Sequence, residues 1–316
     1  MDNCFAAVDI GTNSFHMIIA RLKSDGSIKI IDREKEVIRL GSHKGEDLSF
    51  ISDEEMEHAV KVLSRFKNLA DSYGAKFRAV ATSAVREAKN KSRFIGRVEK
   101  STGVQVEVID GRAEAELIYL GAEKALSLAD NNVLCIDIGG GSTEVINVDR
   151  MRTIFAESIK IGAVRLSKQY FPDYTLTNEK ILQCNNHIEF LLKDSIEKHL
   201  ENNFDLVVGT SGTIEAIAAM ILKQNHEKVP KSLNSVIFNK SQLEIISYEI
   251  LEAKTKNDRL KIPGMEEKRA DIIPAGVLIL NQIFKFFRIK EVRVSSYALR
   301  EGIILDMIRK LQSHQA

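Results

Sequence analysis

The chain has 316 residues, 44% of them hydrophobic and 28% charged, with a formal net charge of +1. That is the composition of a soluble globular chain of about two domains, and it excludes a protein that grips nucleic acid or a membrane by bulk basicity. The three cysteines (Cys4, Cys135, Cys184) form no CxxC pair, no apolar run nears the roughly 20 residues of a membrane span, and no basic leader precedes the first strand. Together these predict a cytoplasmic protein in a reducing compartment.

The first strands lie within Phe5–Ala20, and Ile28–Arg39 is a third. After a polar loop at Ser42–Phe50, Ser52 caps a helix from about Asp53 to Tyr73, whose apolar face carries Ala59, Val62, Leu63 and Phe66. Phe77–Ala81 is a short strand that runs into Thr82–Arg86 and a mostly polar helix. Val104–Ile109 is another strand, and Asp110-Gly111 opens a helix to about Ser127.

The second half repeats this order: a hairpin at Leu134–Val148, a strand near Thr153–Ile161, then the segment Gly162–Leu166 and a long helix over about Asn178–Leu200. Leu206–Gly209 is a strand that turns through Thr210–Thr213 into a helix at Ile214–Leu222. Val229–Gly264 is additional to the repeat, with a strand near Val236–Phe238 followed by a helix. An apolar helix at Pro274–Phe287, a strand at Val292–Ser295 and a helix over about Ala298–Leu311 complete the chain. Strands alternating with helices predict an α/β fold with mixed sheets whose hairpin ends are antiparallel. The predicted domains are 1–127 and 128–316, and the final helix (about 298–311) either stays with the second or packs back on the first.

Two stretches carry one pattern. Val133–Val145 reads VLCIDIGGGSTEV, and Phe5–Ala20 reads FAAVDIGTNSFHMIIA. Setting Asp9 on Asp137 also sets Gly11 on Gly139 and Ser14 on Ser142, an offset of 137 − 9 = 128 residues. An apolar strand ending in a carboxylate and then a glycine-rich turn brings backbone N–H groups up to phosphate oxygens. Gly11, Thr12, Asn13 and Ser14, and Gly139, Gly140, Gly141 and Ser142, are therefore phosphate-binding candidates. Asp9, Asp137 and Glu144 could hold Mg2+, or another divalent cation such as Mn2+, beside the phosphate. Gly209, Thr210, Ser211 and Gly212 lie at a further strand end, where α/β sheets bind ligands. With the turn at Thr82–Arg86, four turns at strand ends predict a ligand held in an interdomain cleft.

Glu114 is the candidate catalytic group. Its i+3, i+4 and i+7 neighbours are Leu117, Ile118 and Gly121, so a carboxylate lies on the apolar stripe of its helix, where a charge is not normally placed. Partial desolvation raises proton affinity and suits a base that activates water. Glu116 falls at the rim of the same helix. Arg86 follows a strand and could take a phosphate bidentately. Plainer readings compete: a first-turn Glu favoured by the helix dipole, a surface Arg, and turn aspartates that only shape their loops. His16, in an alternating strand, reads as a packed side chain rather than a ligand.

The chain resembles the exopolyphosphatase / guanosine pentaphosphate phosphohydrolase (Ppx/GppA) family. The matching stretches are Ala7–Met17, Ala81–Arg86 (ATSAVR), Glu114–Gly121 (EAELIYLG), Ile136–Glu144 (IDIGGGSTE), Gly209–Ile214 (GTSGTI), Arg269–Gly276 (RADIIPAG) and Leu299–Gly302 (LREG). The resemblance implies two ribonuclease-H-like domains of the actin-like ATPase / acetate and sugar kinase superfold. By the same resemblance the catalytic glutamate falls on Glu114, the phosphate loops on Gly11–Ser14 and Gly139–Ser142, the phosphate-binding arginine on Arg86, and the acidic metal-associated positions on Asp137 and Glu144.

What this implies is a Mg2+-dependent exopolyphosphatase of the short, two-domain form, which releases orthophosphate from polyphosphate. The alternative is removal of the 5′-terminal phosphate of guanosine pentaphosphate. Further away stand a kinase-like phosphotransferase and a nucleotide sensor without turnover. No nucleic-acid or membrane partner is expected, and base rates favour a homodimer.

Overall fold

Every position of the strand Cys4–Ile10 except Asp9 is buried, the mark of a strand covered on both faces. In the computed structural model, which describes residues 3–40, 49–197 and 204–313, this strand is β1 of the first sheet. The sheet also contains β2 (Ser14–Leu22), β3 (Ile28–Val37), β4 (Lys76–Ala81) and β5 (Val106–Val108), in the order β3-β2-β1-β4-β5. The pairs β1/β2 and β2/β3 are antiparallel, and β1/β4 and β4/β5 are parallel. This is the ribonuclease-H-like arrangement. Most of the loop expected at Ser42–Phe50 lies outside the described residues.

The helix α1 (Asp53–Ser72) starts with a reciprocal capping box, in which the Ser52 side chain accepts from the Glu55 amide and the Glu55 carboxylate from the Ser52 amide. It buries Met56, Ala59, Val62, Leu63 and Phe66 in the core of the sheet. The polar helix expected after Arg86 is α3 (Lys91–Thr102), and the turn Thr82–Arg86 before it forms a short helix, α2 (Ser83–Glu87). Ala88 between them is extended, which breaks the helical run. Next comes α4 (Gly111–Leu126).

The second sheet contains β6 (Asn132–Ile138), β7 (Thr143–Asp149), β8 (Arg152–Ile159), β9 (Leu206–Thr210), β10 (Ile237–Asn239) and β11 (Glu291–Val294), in the order β10-β11-β9-β6-β7-β8. Removing β10 leaves the pattern of the first sheet, and β10 comes from the stretch that the repeat did not account for. The segment Gly162–Leu166 opens a helix, α5 (Ala163–Tyr170). Then come α6 (Asn178–Ile196) and α7 (Ser211–Gln224). The stretch to Leu200 expected of α6 runs beyond the described residues. Helices α8 (Lys240–Glu252), α9 (Lys256–Arg259) and α10 (Ile273–Phe286) follow, and α10 packs against α5, α6, α7 and α8. The fully buried Arg259 donates to the carbonyls of Ala270, Ala253 and Tyr174, tying three loops together.

The last helix, α11 (Leu299–Ser313), packs on β1 and β2. Gly302 lets it cross α4 closely, because a side chain there would run into the Leu117 carbonyl. The chain divides into two compact units, Met1–Gly121 with Leu299–Ala316, and Ala122–Ala298. No helix among the described residues is long and apolar enough to cross a membrane.

Candidate functional site

In the first unit the parallel pairing of β1, β4 and β5 brings three strand ends to one edge. Ile10 pairs with Ala81 and Ala81 with Val108. The Thr82 amide donates to the Ile10 carbonyl, and the Ile109 amide to the Ala81 carbonyl. The chain leaves these ends as the turn Gly11–Asn13, as α2 and as the start of α4. Thr12 Oγ1 and Ser83 Oγ lie 3.0 Å apart, a buried hydrogen bond that fastens the glycine turn to α2. The Asn13 carbonyl accepts from the amides of Ile38 and Arg39. Asn13 Oδ1 is buried without a hydrogen-bond partner among the described residues, as a ligand-facing polar side chain would be.

Helix phase places Glu114 among Leu117 and Ile118, and the structure buries all three. Glu116 is exposed and pairs with Arg112. Arg86 Nη1 donates to Glu114 Oε2 at 2.7 Å and to the Ile109 carbonyl at 3.0 Å. The guanidinium predicted to take phosphate thus already holds the carboxylate predicted to act as base. Asp9, behind the turn, is pushed up to about 6, chiefly by burial. Arg300 and Lys35 oppose that rise and Glu301 adds to it.

The second unit repeats the arrangement with different side chains. Asp137 and Glu144 are opposite partners on β6 and β7, so their carboxylates share one face at the cross-strand spacing, and both are buried. Ser158 Oγ donates to Glu144 Oε1 at 2.7 Å. The carbonyls of Gly139 and Gly140 accept the first amides of α5, from Ala163, Val164 and Arg165, and Arg165 Nε donates to the Gly141 carbonyl. With these carbonyls engaged on α5 and the Gly139 amide bonded to the Ser142 carbonyl, the turn offers the N–H groups of Gly140 and Gly141, the polarity an anion requires. Gly162 permits this close approach, since a side chain there would meet the backbone of Gly140 and Gly141.

Ser211 and Gly212 are the first residues of α7 rather than part of a turn. Ser211 has φ +81°, and its Oγ donates to the Ile138 carbonyl at 2.8 Å. Gly212 lies against the Arg269 guanidinium, which a side chain there would displace. Thr210 Oγ1 donates to the Tyr297 carbonyl, and Gly209 packs against Val292 and Ile214.

Among the described residues no three His, Cys, Asp or Glu side chains form a metal-holding group. The facing pair of Asp137 and Glu144 fits Mg2+ nonetheless. That ion takes hard oxygen donors and keeps several waters, so one or two carboxylates and substrate oxygens suffice. Asp9 fits less well, because His16, not a second carboxylate, is its cross-strand partner.

Reading the sequence missed His16, Ser83, Arg300 and Arg269 as parts of these clusters. All four lie inside the quoted stretches, and His16 follows Ser14 at the two-residue period that places both on one face of β2.

The sequence profile of the Ppx/GppA phosphatase family matches residues 18–311. The guanosine-5′-triphosphate,3′-diphosphate pyrophosphatase of Photobacterium profundum is 31% identical over 98% of this chain, and that of Pseudoalteromonas atlantica is 30% identical over 99%. The chain spans 60% of the length of each of these relatives. Among solved structures, an exopolyphosphatase from Cytophaga hutchinsonii superimposes with a TM-score of 0.88 at 29% identity, covering 97% of this chain and 98% of the other. The Ppx/GppA family member of Aquifex aeolicus gives 0.81 at 28%, with the same coverage.

Proposed function

Since the chain belongs to the Ppx/GppA phosphatase family, we propose that it is a phosphoanhydride hydrolase that removes the terminal phosphate of inorganic polyphosphate as orthophosphate. The observation that carries this reading is Glu114, a buried carboxylate held by Arg86 at the strand edge that also bears the glycine turn. Such a group takes the proton of a water while the water oxygen attacks the terminal phosphorus. The bridging P–O bond breaks, and the shortened chain leaves with its electron pair. The backbone N–H groups of Gly11–Ser14 and the remaining donors of Arg86 would take the phosphoryl oxygens as charge develops on them. In the second unit, Asp137 and Glu144 would hold a divalent cation and Gly139–Ser142 a phosphate. The cation would supply charge neutralisation there. Gly209–Gly212, at the start of α7, would add amide donors.

The second reading is guanosine pentaphosphate as substrate, favoured by the names of the two curated relatives. The chemistry is the same. Orthophosphate release from tripolyphosphate, long-chain polyphosphate and guanosine pentaphosphate, measured in parallel with Mg2+, ranks the substrates. Glu114→Gln is expected to lower kcat by at least a hundredfold on the preferred one while binding survives. Full activity of Glu114→Gln would remove Glu114 from the mechanism, and a phosphorylated acceptor product would replace the hydrolase by a kinase.

A further inference from the structure

The first glycine turn is held from behind by a chain of three side chains. His16 Nε2 lies 2.7 Å from Ser14 Oγ, and His16 Nδ1 lies 2.9 Å from Arg300 Nη1. A guanidinium has only donors, so Nδ1 of His16 must be the acceptor and carries no proton. The neutral ring then has its proton on Nε2 and donates it to Ser14 Oγ. Imidazolium is disfavoured in this geometry because it would set N–H against N–H. With its oxygen accepting from His16, the Ser14 hydroxyl must send its own hydrogen elsewhere. Ser14 is 7% exposed and makes no second side-chain hydrogen bond among the described residues. A buried hydroxyl with an unengaged proton is a donor in want of an acceptor.

The surroundings carry charges of both signs, so the sign of that acceptor is taken from Gly11–Ser14 as a phosphate turn. Asp9 and Lys35 flank His16 on the neighbouring strands, and α11 adds Arg300 and the buried Glu301. We propose that Arg300 and His16 are positioning residues that lock the Ser14 hydroxyl as a one-way donor to an anionic oxygen, a phosphoryl oxygen of the substrate. This rests on the reading of Gly11–Ser14 as a phosphate turn and adds to it two residues outside that turn.

The offset of 128 residues places Glu144 where the first unit has His16. The second turn therefore pairs its strand-end Asp with a carboxylate, and the first pairs it with an imidazole. The lock belongs to the first unit alone. Its serine is oriented by a neutral donor, in a position where the other unit carries a candidate cation ligand.

The ring tautomer is read from the long-range 1H–15N spectrum of the full ligand-free chain at neutral pH, with His16 assigned by its loss in His16→Gln. The expected spectrum has a protonated Nε2 and a bare Nδ1. Arg300→Lys, which retains a donor, should keep that pattern, and Arg300→Met should mix the two tautomers. A protonated Nδ1 or an imidazolium in the unsubstituted chain overturns the inference, whatever the substrate.

Tripolyphosphate affinity supplies the second readout. His16→Phe should weaken it roughly tenfold, the loss of one oriented hydrogen bond to a charged acceptor, and should weaken it no further in a Ser14→Ala chain. Losses that multiply would refute action through Ser14. The expected tautomer without any turnover of phosphate substrates would count against the hydrolase reading alone.

Discussion

Arg86 and Glu114 can be separated by a double-mutant cycle. Their hydrogen bond is 2.7 Å long, and the side chains are 21% and 7% exposed. Arg86→Met removes the donor and leaves a carboxylate where water is largely excluded, a change that costs about 3–5 kcal/mol. Glu114→Gln keeps the shape and an acceptor oxygen. The remaining guanidinium still reaches the Ile109 carbonyl, so this change costs about 1–2 kcal/mol. In the double variant no buried charge is stranded, and the loss should be about 2–3 kcal/mol, well short of the sum of the singles. The coupling is then about 2–4 kcal/mol. Urea unfolding of the four proteins at neutral pH measures it, with equal slopes showing that the same unfolding reaction is followed. Additivity within about 0.5 kcal/mol would mean that the two groups do not hold each other, and Glu114 would lose its physical distinction from any helix-start glutamate.

Two further outcomes follow from burial and packing. Asp9 has a native pKa of about 6 against an ordinary 3.8, so the folded chain binds this proton more tightly than the unfolded one. The stability it contributes is complete below about pH 4 and is lost as pH rises through 6, a loss of about 3 kcal/mol. Asp9→Asn should flatten the stability profile over that window in chelator-treated protein, and an unchanged profile would refute the desolvated carboxylate. Gly302→Ala should destabilise by at least about 2–3 kcal/mol because its Cβ meets the Leu117 backbone. Gly96→Ala, on α3 with nothing within 4 Å, should instead raise the melting temperature through helix propensity. A neutral Gly302→Ala would show that α4 and α11 do not cross as closely as described.

The parts legible in the sequence were those governed by local pattern. The apolar run before Asp137 and the glycines after it specify a buried strand and a turn, and period 3.6 puts Glu114 with Leu117 and Ile118. The parts that were not legible depend on partners distant in the chain. Nothing near Gly162 signals that α5 begins there, because its cap is not a side chain: Gly162 supplies extended backbone with no side-chain capping bond. The amides of α5 are satisfied instead by carbonyls more than 20 positions earlier. The same holds for Arg300, which meets His16 across 284 positions. Ser211 is the opposite case. Its Thr-Ser-Gly context reads as a turn, yet its hydroxyl bond to Ile138 accompanies a positive φ at the first residue of α7, a tertiary contact overriding local preference.

Duplication explains the shared architecture of the two units but not their chemistry, and the difference is concentrated at one cross-strand position. Asp9 faces His16 and Asp137 faces Glu144. Two facing carboxylates repel unless a cation lies between them or one holds a proton, and the cation proposed above for the second unit would relieve that repulsion. Asp9 instead faces an imidazole, with Arg300 and Lys35 opposing its protonation and Glu301 favouring it, so positive charge already stands beside it. What its neighbour Ser14 then offers is a hydrogen-bond donor. A polyphosphate end presents both a dense negative charge that a cation can neutralise and individual oxygens that accept hydrogen bonds. Exchanging the pair, with His16→Glu in one unit or Glu144→His in the other, would therefore not be conservative despite the repeat. The first change would place two carboxylates beside a turn whose serine has lost its fixed donor, and the second would take a hard oxygen ligand from the candidate cation site.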